Sequence, residues 1–275
     1  MPNRFAMPHT TFDRILRATL GPASLFMMTP LAMAELAPPP KDGLWRGTAG
    51  AALSATSGNT KTSSVLLNTD AVRASDQDKF ALGATVNHAR GTDEGGERST
   101  TADKAGAFGQ YDRDFAPRWF GFGRLVYDRD ALIDLSSRHT ATVGVGHRLI
   151  DTDTNSFTLT GGVGYVVERY GTAQTIANET DTRFGRPTVF LAEESAHKLT
   201  QTTSLKQRLE AAPALDGSGS VLWKFNANLD VAINKSLSVA VGVIDTYNTE
   251  PPEGAAKNDV SVFTGITYRF GAPPP

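Results

Sequence analysis

The 275-residue chain has 27 basic and 29 acidic residues, a net charge of −2, 40% hydrophobic residues and no cysteine. A near-neutral balance without a basic stripe excludes nucleic-acid binding by a cationic face. The missing thiols exclude a disulfide framework and thiolate metal sites.

The first segment reads as an export signal. Arg4, Arg14 and Arg17 precede the apolar run "ATLGPASLFMMTPL" from Ala18 to Leu31, and "AMA" at 32–34 has the small-residue spacing of a cleavage site. Residues 1–34 are therefore expected to be a signal peptide and 35–44 a proline-rich periplasmic leader. No later apolar run approaches the ~20 residues of a spanning helix.

From Trp45 onward the chain alternates strand and turn signals. Twelve strands are predicted, roughly at 45–57, 61–75, 79–90, 100–115, 118–130, 137–150, 156–170, 186–198, 203–214, 220–233, 236–248 and 259–270. Each runs about 10–15 residues, against ~5–6 in soluble sheets and near the length that crosses a bilayer at a tilt.

In the third strand Phe80, Leu82, Ala84 and Val86 share one face, and Ala81, Gly83, Thr85 and Asn87 the other. In the seventh, Phe157, Leu159, Val163, Tyr165 and Val167 oppose Thr158, Thr160, Gly162, Gly164 and Glu168. In the tenth, "VLWKFNANLDVAIN" (221–234), Trp223, Phe225, Leu229 and Val231 oppose Lys224, Asn226, Asn228 and Asp230. The last strand alternates likewise, except at Phe263. The faces of the eighth, "RPTVFLAEESAHK", are ambiguous.

The connections alternate as well. Those after even strands are short: "DQDK", "AP", "DTDTNS", "LTQT" and "NK". Most after odd strands are long, including "GTDEGGERS" (91–99), Gly171 to Gly185 and "EPPEGAAKND" (250–259). Aromatic residues gather at strand ends. Trp45, Phe80, Phe115, Trp119, Phe157, Tyr268 and Phe270 mark the periplasmic end, and Tyr127, Tyr170, Trp223, Phe225 and Tyr247 the other. The whole pattern predicts an all-β fold. It is a twelve-stranded antiparallel up-and-down transmembrane barrel over 45–270 with a short tail at 271–275.

Three stretches carry a family resemblance: "LWRGTAGAALSATSGNT" at the start, "KLTQTTSLKQRLEAAPAL" at 198–215 and "INKSLSVAVGVIDTYNTEPPEGAAKNDVSVFTGITYRF" at the end. Together the chain resembles the domain-of-unknown-function 481 family, also called salt-induced outer membrane proteins. The resemblance implies an outer-membrane barrel in a Gram-negative envelope, with a link to osmotic stress and no catalytic residue. Gly265, Tyr268 and Phe270 resemble the last-strand signal read by the barrel assembly machinery, although "GAPPP" follows.

On the inward faces the alternation places Lys104, Gln110, Asp112, Arg124, Asp128, Arg148, Glu168, Lys206, Arg208, Glu210, Lys224, Asp230 and Arg269. These line either an interior filled by ion pairs or a narrow conducting path. Twelve strands lie between a filled eight-stranded barrel and an open sixteen-stranded one. The expected partners are outer-membrane lipid and lipopolysaccharide; Asp93, Glu94 and Glu97 read first as a solvated acidic loop, with a divalent-cation bridge to lipopolysaccharide as the alternative. No enzyme activity, catalytic residue, cofactor or metal is assigned. Two alternatives stay open. One is a hydrolase with a rim site drawn from His88, His139, His147 or His197 with Ser99, Ser137 or Ser195. The other is a soluble periplasmic β-sandwich acting as a binding module.

Overall fold

The computed structural model describes residues 39–56, 61–92, 97–252 and 255–272. The expected signal peptide lies outside the described residues, as do Asp93 and Glu94. Twelve strands follow one another: β1 Trp45–Thr56, β2 Lys61–Ala74, β3 Asp78–Thr92, β4 Arg98–Ala116, β5 Trp119–Asp130, β6 Leu135–Asp151, β7 Asn155–Ile176, β8 Glu179–Lys198, β9 Thr203–Pro213, β10 Val221–Ala232, β11 Leu237–Asn248 and β12 Asn258–Gly271. Each pairs antiparallel with its sequence neighbours, and β12 returns to β1 to close the barrel. Closure satisfies the backbone without water, as hydrocarbon requires.

Short turns hold one rim, called here the near rim, which also carries both described ends of the chain. Local side chains fix these turns. Asn234 Oδ1 accepts from the N–H groups of Ser236 and Leu237, at 2.8 and 2.9 Å. Thr152 Oγ1 donates to Asn155 O at 2.9 Å and accepts from Asn155 N at 3.0 Å, so the "DTDTN" stretch is a tight turn. Before β1, Asp42 accepts from Arg46 Nη2 at 2.6 Å and from Leu44 N at 3.0 Å. These bonds, Arg46 first, hold the Asp42 carboxyl well below the usual carboxylate range. Lys41 reaches Asp114 at 3.6 Å, so the end of the leader is strapped to the near rim of β4.

The far rim differs from expectation at one place. The predicted loop from Gly171 to Gly185 is a hairpin. Beyond a bulge, Gln174, Thr175 and Ile176 pair with Asp181, Thr180 and Glu179. Ala177 and Asn178 form its tip with φ of 49° and 67°, the left-handed pair that suits the twist of a two-residue turn. Under this hairpin Leu135, Tyr170, Ile176 and Phe184 form a small buried core. Tyr170, expected in the outer aromatic belt, is 6% exposed there and meets Phe184 edge-on at 5.9 Å. Its even number explains this: in β7 the odd positions face out, so Tyr170 shares the inward face of Glu168.

The outer surface is apolar along nearly every strand. Leu67, Leu82, Leu125, Val143, Val163, Leu191, Val241 and Val262 are all exposed. That continuous band is far more than a water-soluble monomer leaves uncovered. Trp45, Phe80, Phe115, Trp119, Tyr268 and Phe270 are exposed around the near rim, and Tyr127, Trp223 and Tyr247 toward the far one. No described helix is long and apolar enough to cross a membrane. The barrel replaces the β-sandwich alternative, because its apolar faces point outward rather than into a shared core.

The seam between the first and last strands is short. β1 meets β12 only from Arg46 to Ala51, against Gly271 back to Ile266. Among the described residues, β12 from Asn258 to Gly265 pairs with β11 alone.

Candidate functional site: the lumen

Inward residues fall into two groups. On β4 and β5, aromatic rings fill space. Phe108 lies directly across from Gly83, Phe120 from Gly146 and Phe122 from Gly144. A Cβ on Gly83 would stand 2.2 Å from the Phe108 ring, and one on Gly146 would stand 2.1 Å from the Phe120 ring. Each ring therefore occupies space beside a position that only glycine leaves free. Phe122 then meets Phe190 of β8 edge-on at 6.0 Å. Arg124 covers Phe108 at 4.9 Å and Arg148 covers Phe120 at 4.6 Å, a cation–π arrangement that gains strength away from water.

The charges inside are mostly paired. Lys104 meets Asp130 at 3.0 Å, and Lys79 meets Asp112 at 3.2 Å. Arg138 meets Glu168 at 2.6 Å and Arg148 meets Asp114 at 2.9 Å. Arg208 binds Glu210 at 2.6 Å and also bonds Glu194. Arg124 reaches Glu210 at 3.7 Å and donates to Gln110 Oε1 at 3.3 Å. Three strands separate β5 from β9 along the wall. The Arg124–Glu210 contact therefore reaches through the interior between strands that do not pair, and Phe122 of β5 meets Phe190 of β8 across two intervening strands.

Two cavities remain on either side of that bridge. The near-half cavity, about 90 Å³, is lined by polar side chains including Asn68, Asn226, Asn228 and Thr267, together with Phe263. Lys206, Asp230 and Arg269 line it too, and Asn228 Nδ2 donates to Asp230 at 2.8 Å. The far-half cavity, about 110 Å³, is lined by Arg124, Asp128, Arg138, Glu168, Glu210 and Lys224 among others. They adjoin along β9 and β10, where Arg208 and Asn226 face the near cavity and their neighbours Glu210 and Lys224 the far one.

The structure thus puts Arg124, Asp128, Glu168, Lys206, Arg208, Glu210, Lys224, Asp230 and Arg269 on the two cavities. Lys104, Asp112 and Arg148 sit in ion pairs outside the two cavity linings, Lys104 toward the far rim and the other two toward the near one. Sequence reasoning missed Lys79, Asp130, Arg138, Arg186 and Glu194. All five have the inward parity of their strands. Glu194 was hidden because β8 places Glu193 and Glu194 side by side on opposite faces.

The candidate rim hydrolase residues do not assemble. Ser195 is 1% exposed and its Oγ has no hydrogen-bond partner. His197 Nδ1 bonds Asn155 Oδ1 at 2.9 Å, His139 stacks on Tyr127 at 5.3 Å and His147 on Trp119 at 4.2 Å. No hydrogen bond joins Ser99, Ser137 or Ser195 to a histidine. A nucleophile needs its base within hydrogen-bond reach. Among the described residues no group of three His, Asp or Glu is placed to hold a metal.

A family profile described as "Protein of unknown function, DUF481" matches residues 49–270. The chain belongs to the DUF481 family. It is 25% identical over 214 residues to the uncharacterized protein YdiY of Escherichia coli (strain K12), covering 78% of each. Among solved structures it is similar to the translocator domain of the autotransporter NalP from Neisseria meningitidis. That match has 14% identity, covers 83% of this chain and 88% of that one, and has a TM-score of 0.43. It is also similar to the NanC porin, at 7% identity over 84% and 99% of the two chains, with a TM-score of 0.45. A further likeness is to the KdgM porin in complex with disordered oligogalacturonate, at 11% identity over 82% and 99% with a TM-score of 0.43. In this DUF481 member the described charged and amide side chains of the lumen lie inside the apolar outer band.

Proposed function

We propose that this DUF481 barrel is a narrow, non-enzymatic channel of the outer membrane, passing small polar solutes between its two half-cavities. The observation that carries this reading is the adjoining of the cavities along β9 and β10, beside the Arg208–Glu210–Arg124 chain. A solute moving from Lys224 toward Asn226 and Asn228 meets charged and amide groups throughout, so it exchanges its hydration shell for protein contacts. The Arg124–Glu210 bridge then acts as the constriction. Side-chain movement at this pair, rather than backbone motion, opens the path.

Planar-bilayer recording of the purified protein tests this, after a heat-modifiable gel shift has established a folded barrel. The expected result is small unitary currents that grow several-fold in Arg124→Ala. Silence from both the parent protein and that variant rejects the channel and leaves a sealed structural barrel. The contact of Phe122 with Phe190 favours that second reading, since it joins two non-adjacent strands inside the barrel without any polar group.

A further inference from the structure

The far-half cavity holds more charge than its internal pairs use up. Arg138 is held by Glu168, Arg124 by Glu210, and Arg186 by Asp216 at 3.3 Å. Asp128 and Lys224 line the same cavity from β5 and β10. Asp128 is 5% exposed and its Oδ2 accepts no hydrogen bond. Lys224 makes neither an ion pair within 4.0 Å nor a hydrogen bond among the described residues. Glu250, on the loop after β11, stands at the mouth. A buried carboxylate oxygen left without a donor is costly, so a ligand that supplies one gains that penalty back as affinity.

We propose that this cavity binds a small zwitterion with a short apolar body, of the α-amino acid class, its ammonium on Asp128 and its carboxylate toward Lys224. A simple cation entering here meets Arg124, Arg138 and Lys224, and a simple anion meets Asp128, Glu168 and Glu210. Asp128 and Lys224 attract each other without making an ion pair within 4.0 Å, and one solute bearing both charges gives each a direct contact while adding no net charge to a balanced site. Charge-assisted bonds of this kind are about twice as strong as neutral ones. The remaining wall accepts hydrocarbon: Val126, Val166, Ile176, Phe190 and Leu222 line it. The cavity volume of about 110 Å³ accommodates a solute of a few heavy atoms.

This inference rests on the far-half cavity of the proposed channel and not on conduction. The test is calorimetric titration of the folded, detergent-solubilised protein with three probes of one shape. L-valine carries both charges, isobutylamine lacks the carboxylate and isovalerate lacks the ammonium. Valine is expected to bind at least about tenfold more tightly than either analogue. Lys224→Met should reduce valine to the level of isobutylamine, and Asp128→Asn should reduce it to the level of isovalerate. Where Asp128→Asn gives no heat-modifiable barrel, Lys224→Met alone decides. Valine no tighter than the analogues, or unchanged in Lys224→Met, overturns the site, as does binding of none of the three. Valine binding with no conductance would remove the channel and keep the site. Conductance without a valine preference would do the reverse.

Discussion

The inward face of β4 and β5 carries Phe108, Phe120 and Phe122, each across from a glycine, whereas that of β10 carries Lys224, Asn226, Asn228 and Asp230 and borders both cavities. The two walls share one backbone geometry and one alternation. They differ in what stands opposite each side chain. A large ring over glycine reaches far enough into the lumen for Phe122 to touch a strand that β5 does not pair with. Medium polar groups facing one another leave room between them. Strand number sets the diameter of the backbone cylinder, but side-chain size decides how much of it is empty.

The contrast can be broken first at its centre. Phe122→Ala removes the contact with Phe190 and should destabilise the barrel by about 3–5 kcal/mol. Asn228→Ala, which removes a hydrogen bond to Asp230, should cost about 0.5–1.5 kcal/mol. Urea unfolding in vesicles measures both, and equal losses would erase the distinction between packed and hollow walls.

The outside of the hollow wall should be the next most sensitive. Leu229 is exposed on the lipid face of β10, one residue from Asn228 in the cavity. Leu229→Arg is expected to cost about 2–4 kcal/mol at mid-bilayer depth. Unchanged folding in vesicles would count against that orientation.

The smallest effect separates glycines by what lies above them. Gly146→Ala forces a Cβ into the Phe120 ring and should cost about 1–3 kcal/mol. Gly123 faces outward with nothing within 4 Å of a Cβ, so Gly123→Ala should stay within about 0.5 kcal/mol. A common value for the pair would show that the rings move aside freely.

All twelve strands were legible in the sequence, because a period of two sustained over so many residues has few competing explanations. The inward placement of Lys224, Asp230, Arg124 and Glu210 followed from the same parity. Tyr170 was legible too, had its even number been weighed above its position near a strand end. The hairpin tip at Ala177 and Asn178 was not, since "ETDTR" has no apolar face to mark it as strand and alanine is no turn signal. The partners of each charge were also hidden. Parity gives the face but not the depth, and Arg124 meets Glu210 across three intervening strands. The cavities depend on such reaches across the lumen, which no local pattern encodes.

The brief join between the first and last strands makes this cylinder directional in how it comes apart. From Asn258 to Gly265 the closing strand leans on a single neighbour. Heat or pulling is therefore expected to unzip the wall there first, starting at the far rim, and slower amide exchange at Val260–Thr264 than in β10 would overturn that order.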